Sequence, residues 1–125
     1  MANYIDAFQF PIRESDLKTY QAVAEQVAEV WLSHGALAYQ EFVGDDLHRS
    51  GLRSFDESLE LNEGEVVVMG WAVFPSKDVR DQANQAVPKD PRMNELVAPL
   101  FQGEDPIFKA RRMIYGGFKV LVSKD

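Results

Sequence analysis

The chain has 125 residues, 46% of them hydrophobic and 26% charged, and we expect residues 1–125 to form a single globular domain. A formal net charge of −7, from 20 acidic and 13 basic residues, opposes binding to phosphate backbones, so we expect no nucleic-acid partner. The absence of cysteine excludes disulfides and thiolate chemistry. Because the first residues lack a signal-peptide pattern and no apolar run is long enough to cross a bilayer, we expect a cytoplasmic protein without a membrane partner.

The first half of the chain predicts a strand, a helix and a second strand. Residues 3–12 alternate between two faces, which is typical of a strand. Residues 16–34 carry apolar side chains at helical spacing, with Ser15 or Asp16 as the N-cap. Residues 36–43 predict the second strand, and a polar loop follows it.

The second half begins with residues 65–74, the longest run of strand formers in the chain. Both faces of this strand are apolar, so we expect it to be covered on both sides. A helix over residues 76–87 follows, and Asp90-Pro91 restarts a short helix whose buried positions should be Met93, Leu96, Val97 and Leu100. Residues 111–122 predict the last strand, in which the pair Gly116-Gly117 indicates a bulge or a close approach of the backbone.

The predicted order is strand, helix, strand, strand, helix, strand. This order defines an α+β fold of the ferredoxin-like type, βαββαβ, with a four-stranded antiparallel sheet and two helices on one face. The other face would expose a large apolar patch, which a monomer rarely tolerates. We therefore expect a homodimer in which two such faces bury each other, a dimeric α+β barrel.

Several phrases of the chain together resemble one family. The sequence is similar to the YbaA-like family of small bacterial proteins, a domain of unknown function placed in the dimeric α+β barrel superfamily. The resemblance covers nearly the whole chain and implies the same dimer, and it carries no established activity. The residues that carry it are Tyr4 with Asp6 and Phe8, Gly35-Ala36-Leu37, Trp71 with Pro75-Ser76-Lys77, Arg80-Asp81 with Asn84, Asp90-Pro91-Arg92-Met93 and Arg112-Met113-Ile114-Tyr115-Gly116-Gly117-Phe118.

Some members of the family carry a label that links them to signal-recognition-particle RNA, and the resemblance makes that label relevant here. The residues argue against it here, because the chain is acidic and has neither an Arg/Lys-rich segment nor an RNP1-type aromatic motif. No phosphate loop is formed by Gly116-Gly117 either, since no helix follows the pair. We expect no cofactor.

A candidate pocket lies between the predicted sheet and its helices. Residues that combine apolar walls with polar tips are typical of ligand sites, although the same residues are also typical of a core. The pocket would bind a small apolar or aromatic molecule. Its candidate lining residues are Tyr20, Trp31, His34, Tyr39 and Trp71.

Three classes of function stay open for such a pocket. The first is a small-molecule binding protein. The second is a cofactor-independent monooxygenase or isomerase, by analogy with other members of the superfamily. The third is a non-enzymatic regulatory dimer. No Ser-His-Asp or Cys-His arrangement can be assigned, so the sequence predicts no catalytic residue.

Two groups of titratable residues are further candidates for chemistry. Asp6 lies among aromatic residues and needs a partner, for which Arg111, Arg112 or a tyrosine hydroxyl could serve. His34, at the end of the first helix, suits either acid–base chemistry or the negative end of the helix dipole. The densest set of potential metal ligands matches no ligand-spacing motif, and we expect no metal there: Glu41, Asp45, Asp46 and His48.

Overall fold

A computed structural model describes residues 3–124. Four antiparallel strands form one sheet in the order β2-β3-β1-β4, which is the predicted ferredoxin-like arrangement. The two central strands have ten residues each and the two edge strands have six. The bounds are Tyr4–Arg13 for β1, Ala38–Val43 for β2, Glu65–Phe74 for β3 and Ile114–Lys119 for β4.

The last strand is shorter than the predicted 111–122, because Ala110–Arg112 forms a 3₁₀ turn. Its pairing with β1 is continuous, so the glycine pair makes no bulge. Gly117 marks a close approach instead, since a Cβ there would stand 2.5 Å from the Tyr4 hydroxyl and 2.5 Å from Arg80 Nη2. Of the two sequence interpretations of this pair, the close approach is the one that holds.

Two long helices cover one face of the sheet, α1 (Leu17–Ser33) and, after two strands, α3 (Lys77–Ala86). Ser76 caps α3 as predicted, with its hydroxyl accepting from the Val79 N–H at 3.2 Å. The predicted side-chain cap of α1 is wrong. Ser15 and Asp16 belong to a 3₁₀ turn that runs into the helix, and the Asp16 carboxylate instead accepts from Arg13 Nε at 2.6 Å.

Two short helices complete the fold. Residues 52–61, whose pattern fits neither helix nor strand, contain α2 (Phe55–Leu59). The helix restarted near Pro91 is α4 (Met93–Val97), followed by a 3₁₀ turn over Ala98–Phe101. Of its four predicted buried positions only Leu100 is buried, because the other three border a cavity or a surface groove. No helix within residues 3–124 is long and apolar enough to span a membrane.

The core lies between the sheet and the helices, in two clusters. One contains Phe10, Ile12 and Val68, and the other contains Ala36, Ala72, Phe74 and Ala83. Ala36 precedes β2. The members that belong to β1 and β3 all project from the same face of the sheet, because Phe10 pairs with Val68 and Asp6 pairs with Ala72. This helix-covered face is called the inner face below.

The opposite face, called the outer face, carries the alternate residues of every strand. Leu59 of α2 and Ile114 line one groove at its edge, and Val67 is buried nearby. The rest of the face is mostly apolar and partly exposed, with Phe118 57% exposed and Phe42 47% exposed. Its members are Ala38, Gln40 and Phe42 of β2, Met69, Trp71 and Val73 of β3, Ile5, Ala7 and Gln9 of β1, and Ile114, Gly116 and Phe118 of β4.

Candidate functional site

A cavity of about 540 Å³ separates the inner face from the helices and the loop that follows them. This volume is within the range of small-molecule sites. The sheet contributes Phe8 and Ala72, and α1 contributes Ala24, Val27 and Trp31. The remaining apolar residues are Val23 of α1, Pro88, Met93 and Val97, and Leu100, Phe101, Phe108 and Met113.

Gly70 of β3 leaves room for the Phe8 ring, which lines the cavity. A Cβ on Gly70 would stand 2.6 Å from Phe8 Cζ and 2.9 Å from the Gln40 carbonyl oxygen. The Phe8 ring therefore lies directly across the backbone of Gly70. This contact holds the ring at the edge of the cavity, and a Cβ on Gly70 would also stand 2.9 Å from Glu41 Cγ.

We expect Gly70→Ala to destabilise the protein by about 1–3 kcal/mol, because a methyl group forced into this packed position must displace both an aromatic ring and a backbone carbonyl. Urea unfolding followed by circular dichroism measures the change. Gly64→Ala is the contrasting variant, since a Cβ there meets nothing within 4 Å and only its positive φ opposes the substitution. Equal stability of Gly70→Ala and the native protein would contradict the close packing of Phe8.

The first polar group at the cavity, called the Glu41 cluster, consists of Tyr20, Tyr39 and Glu41. The Tyr20 hydroxyl donates to Glu41 Oε1 at 2.5 Å, and the Tyr39 hydroxyl donates to Glu41 Oε2 at 2.7 Å. Burial raises the pKa of Glu41, and the two tyrosine hydrogen bonds offset this rise only in part. Burial, together with the Glu41 charge, also raises the pKa of both tyrosines, so they stay protonated as donors.

The second polar group, called the Asp6 cluster, consists of Asp6, Arg80, Asn84 and Tyr115. Arg80 Nε donates to Asp6 Oδ1 at 2.8 Å, and Arg80 Nη2 donates to the Tyr115 hydroxyl at 2.9 Å. Asn84 completes the group: with its amide turned so that each donor faces an acceptor, its nitrogen donates to Asp6 Oδ2 at 3.3 Å and its oxygen accepts from the Tyr115 hydroxyl at 3.1 Å. Asp6 is buried, and Arg80 Cζ lies 5.1 Å from the centre of the Tyr4 ring.

Two opposing effects act on the guanidinium of this cluster. Burial alone would lower the pKa of Arg80, but hydrogen bonds to Asp6, Asp81 and Tyr115 outweigh it and raise the pKa. Burial also raises the pKa of Tyr115, whose hydroxyl stays protonated. Asp6 and Arg80 thus form a charge-compensated pair.

The strand register separates the two clusters across the inner face. Asp6 lies opposite Ala72, which lies opposite Tyr39, whereas Phe8 lies opposite Gly70, which lies opposite Glu41. The carboxylate-bearing strands are therefore two strand spacings apart, roughly 10 Å. An apolar body bound above β3 would meet Glu41 on one side and the Asp6 cluster on the other.

Three of the five candidate pocket residues line this cavity: Tyr20, Trp31 and Tyr39. His34 lies outside it, with Nε2 2.7 Å from Asp90 Oδ2. That carboxylate also accepts from Arg92, and hydrogen bonds from Arg92 and His34 lower the pKa of Asp90. His34 thus belongs to a hydrogen-bonded group around Asp90 at the end of α1.

Trp71 is placed on the outer face, contrary to its predicted position in the pocket. It pairs with Ala7 and Gln40, and its neighbour Ala72 takes the inner position because successive strand residues alternate. Trp71 Nε1 donates to Gln40 Oε1 at 3.1 Å, and its ring centre is 5.0 Å from that of Phe42.

Asp6 has the partner that its surroundings require, but it is neither of the two arginines named as candidates. Arg112 is engaged elsewhere, donating to Glu65 Oε2 at 2.7 Å and Oε1 at 3.0 Å. Arg80 takes its place. The signal that could have found the true partner is the spacing of Arg80 and Asn84, which are four residues apart and therefore share one face of α3.

The polar set considered for a metal is dispersed. Glu41 points into the Glu41 cluster, whereas His48 lies in the loop after β2, with Nε2 2.9 Å from Asp56 Oδ2. Over residues 3–124 no three His, Cys, Asp or Glu side chains are grouped so that they could hold a metal ion. Glu41 is not among the predicted pocket residues. The signal for it in the sequence is strand alternation, because residues 39 and 41 lie on the same face of a strand.

The fold and the inner cavity define an α+β protein of the ferredoxin-like class, and solved structures of this class support that assignment. A NIPSNAP family protein with unknown function from Agrobacterium tumefaciens is similar with a TM-score of 0.54 and 16% identity, over 95% of this chain and 88% of the other. The Rv0793 protein from Mycobacterium tuberculosis is similar with a TM-score of 0.53 and 14% identity, over 99% of this chain and 100% of the other. At these identities the likeness concerns the fold alone.

Residues 3–103 match the model of the family described as "Protein of unknown function (DUF1428)", and the chain belongs to that family. The chain is also 34% identical to the uncharacterized protein YbaA of Escherichia coli K12 over 121 residues, which are 97% of this chain and 98% of the relative. The same values hold for YbaA of Shigella flexneri. The predicted relation to the YbaA-like family is thereby confirmed, and the relatives carry no established function.

Proposed function

We propose that the protein binds a small molecule with an apolar or aromatic body in the cavity between the sheet and the helices. The observation that carries the proposal is the combination of an apolar cavity of about 540 Å³ with two polar clusters at its sides. Apolar walls with a few convergent polar groups are the usual composition of a ligand site. The cytoplasm is the compartment that we propose for this activity.

We expect Ala24→Phe to reduce binding of an aromatic probe at least about tenfold, because Ala24 lines the cavity and a benzyl group would occupy its space. The assay is ligand-observed NMR with 2-phenylethanol, an uncharged aromatic probe. Ala22→Phe is the matched control, since Ala22 is exposed on the same helix and does not line this cavity. Unchanged binding to Ala24→Phe would contradict the site.

A second candidate function, a proton-transfer enzyme of the isomerase kind, is favoured by the raised pKa of Glu41 at the edge of the cavity. A carboxylate of raised pKa can take a proton from carbon and return it at another position. Incorporation of deuterium from D₂O into a carbon acid incubated with the protein tests this function. Equal incorporation with Glu41→Gln would argue against it.

We further propose that the protein works as a homodimer joined through the outer face. With strands about 4.8 Å apart and rising about 3.3 Å per residue, that face measures roughly 20 Å by 25 Å. Two copies would then bury about 1,000 Å² in total, an area at the lower limit for specific protein–protein interfaces. The exposed side chains Phe42, Ile114 and Phe118 support this use of the face, because they would lose contact with water.

A further inference from the structure

Glu41 is a half-buried carboxylate for which the structure provides no positive charge. Each of its oxygens accepts from one neutral tyrosine hydroxyl. In the part of the chain that the structure describes, no salt bridge joins it to Lys, Arg or His. Removing an ion from water is unfavourable unless an opposite charge compensates it, so this site lacks a countercharge.

The other carboxylate of the cavity differs in this respect. Asp6 is compensated by Arg80 at 2.8 Å, so the Asp6 cluster can accept or donate hydrogen bonds without attracting a net charge. Of the residues lining the cavity within 3–124, two are carboxylates and none is Lys, Arg or His. The cavity as a whole therefore carries an uncompensated negative charge on the Glu41 side.

Aromatic side chains line the cavity beside that charge. Phe8 Cζ and Glu41 Cγ both border the space above Gly70, and the centre of the Phe8 ring is 6.3 Å from the centre of the Tyr39 ring. Tyr20 and Trp31 also line the cavity from α1. Ring faces attract cations through their quadrupole, and this attraction grows when water is excluded.

We propose that the cavity binds an organic cation, a protonated amine or quaternary ammonium with an apolar body, whose charged nitrogen lies against Glu41. This inference rests on the proposed small-molecule binding and specifies its ligand class. In the complex, the negative charge of Glu41 and the positive charge of the ligand compensate each other. The apolar body extends above Ala72 toward the Asp6 cluster.

The titratable groups around Glu41 give this site a defined pH dependence. They are Tyr20 and Glu25 of α1, Tyr39 of β2, Asp6 of β1 and Tyr115 of β4, and none of them carries positive charge. Burial raises the pKa of Glu41, so the carboxylate is protonated at a higher pH than an exposed glutamate. Affinity for a permanently charged cation should therefore decrease as the pH is lowered through that raised pKa.

The test compares three probes of similar shape and different charge: 2-phenylethylamine, 2-phenylethanol and 3-phenylpropionate. Isothermal titration at pH 8 should show the amine binding about tenfold more tightly than the alcohol and the carboxylate binding most weakly. Glu41→Gln should reduce the preference for the amine over the alcohol to less than about twofold. Glu63→Gln, which removes the same charge from an exposed turn, should leave the preference unchanged.

The outcomes separate the two proposals. If the alcohol binds as tightly as the amine, the cation inference is overturned while the binding site stands. If none of the three probes binds, both are contradicted. Should Glu41→Gln fail to fold, the native protein still decides: the affinity for phenyltrimethylammonium must decrease on acidification, and a constant affinity overturns the inference.

Discussion

Replacement of Met69 by aspartate is expected to convert the proposed dimer into a monomer at micromolar concentration. Met69 lies on the outer face between Gln9 and Phe42. In the dimer each copy would bury an unpaired carboxylate, at a cost of several kcal/mol per copy. The dissociation constant of the dimer should therefore increase at least about a thousandfold. Sedimentation velocity measures the change in mass.

The matched control is Gln85→Asp, which adds the same charge to an exposed position of α3, on the opposite side of the sheet. This variant should remain dimeric. Circular dichroism must show that Met69→Asp keeps its sheet. A native protein that sediments as a monomer, or a Met69→Asp variant that stays dimeric, would rule out the outer face as the interface.

Replacement of Arg80 by methionine is expected to lower the free energy of unfolding by about 3–5 kcal/mol. The side chain of Asp6 is only 5% exposed and that of Arg80 15%, so the change would leave a carboxylate buried without its countercharge. The Arg80 hydrogen bond to Tyr115 and the contact with the Tyr4 ring would be lost as well. Urea unfolding at pH 7 gives the loss.

Lys77→Met provides the comparison, since it also removes one positive charge from α3. Its partner Asp81 is 3.0 Å away, but both side chains are largely exposed, so the loss should stay below about 1 kcal/mol. The double variant Asp6→Asn with Arg80→Met should recover part of the stability, because it no longer buries an unpaired charge. A loss for Arg80→Met no larger than for Lys77→Met would show that Asp6 is well solvated.

The order of strands and helices along the chain could be predicted from the sequence, because alternation, turn residues and helix starts act locally. The choice between the two faces of β3 could not, since Val67, Met69, Trp71 and Val73 are as apolar as the residues between them. Which face meets the helices depends on where α1 and α3 pack, and this is a tertiary property. Trp71 was therefore assigned to the wrong side of the sheet.

The site shows the same division between local and distant information. Asp6 was identified from its own surroundings, as a carboxylate among aromatic residues. Its partner Arg80 is 74 positions away in the chain, and the helix face that Arg80 shares with Asn84 identifies it only once α3 is known to pack over β1. Glu41 was considered with the acidic loop that follows it, although its alternation with Tyr39 already directs it to the inner face.

The strand order also bears on how the chain folds. In the sheet, β1 lies between β3 and β4, and β4 comes from the far end of the described chain, since Tyr4 pairs with Lys119 and Gln9 pairs with Ile114. Contacts between such distant positions carry a large loop-closure entropy and slow the search for the native state. During synthesis, β1 would keep one edge unpaired until β4 leaves the ribosome. The Asp6 cluster, which draws on β1, α3 and β4, is therefore among the last parts of the molecule to assemble.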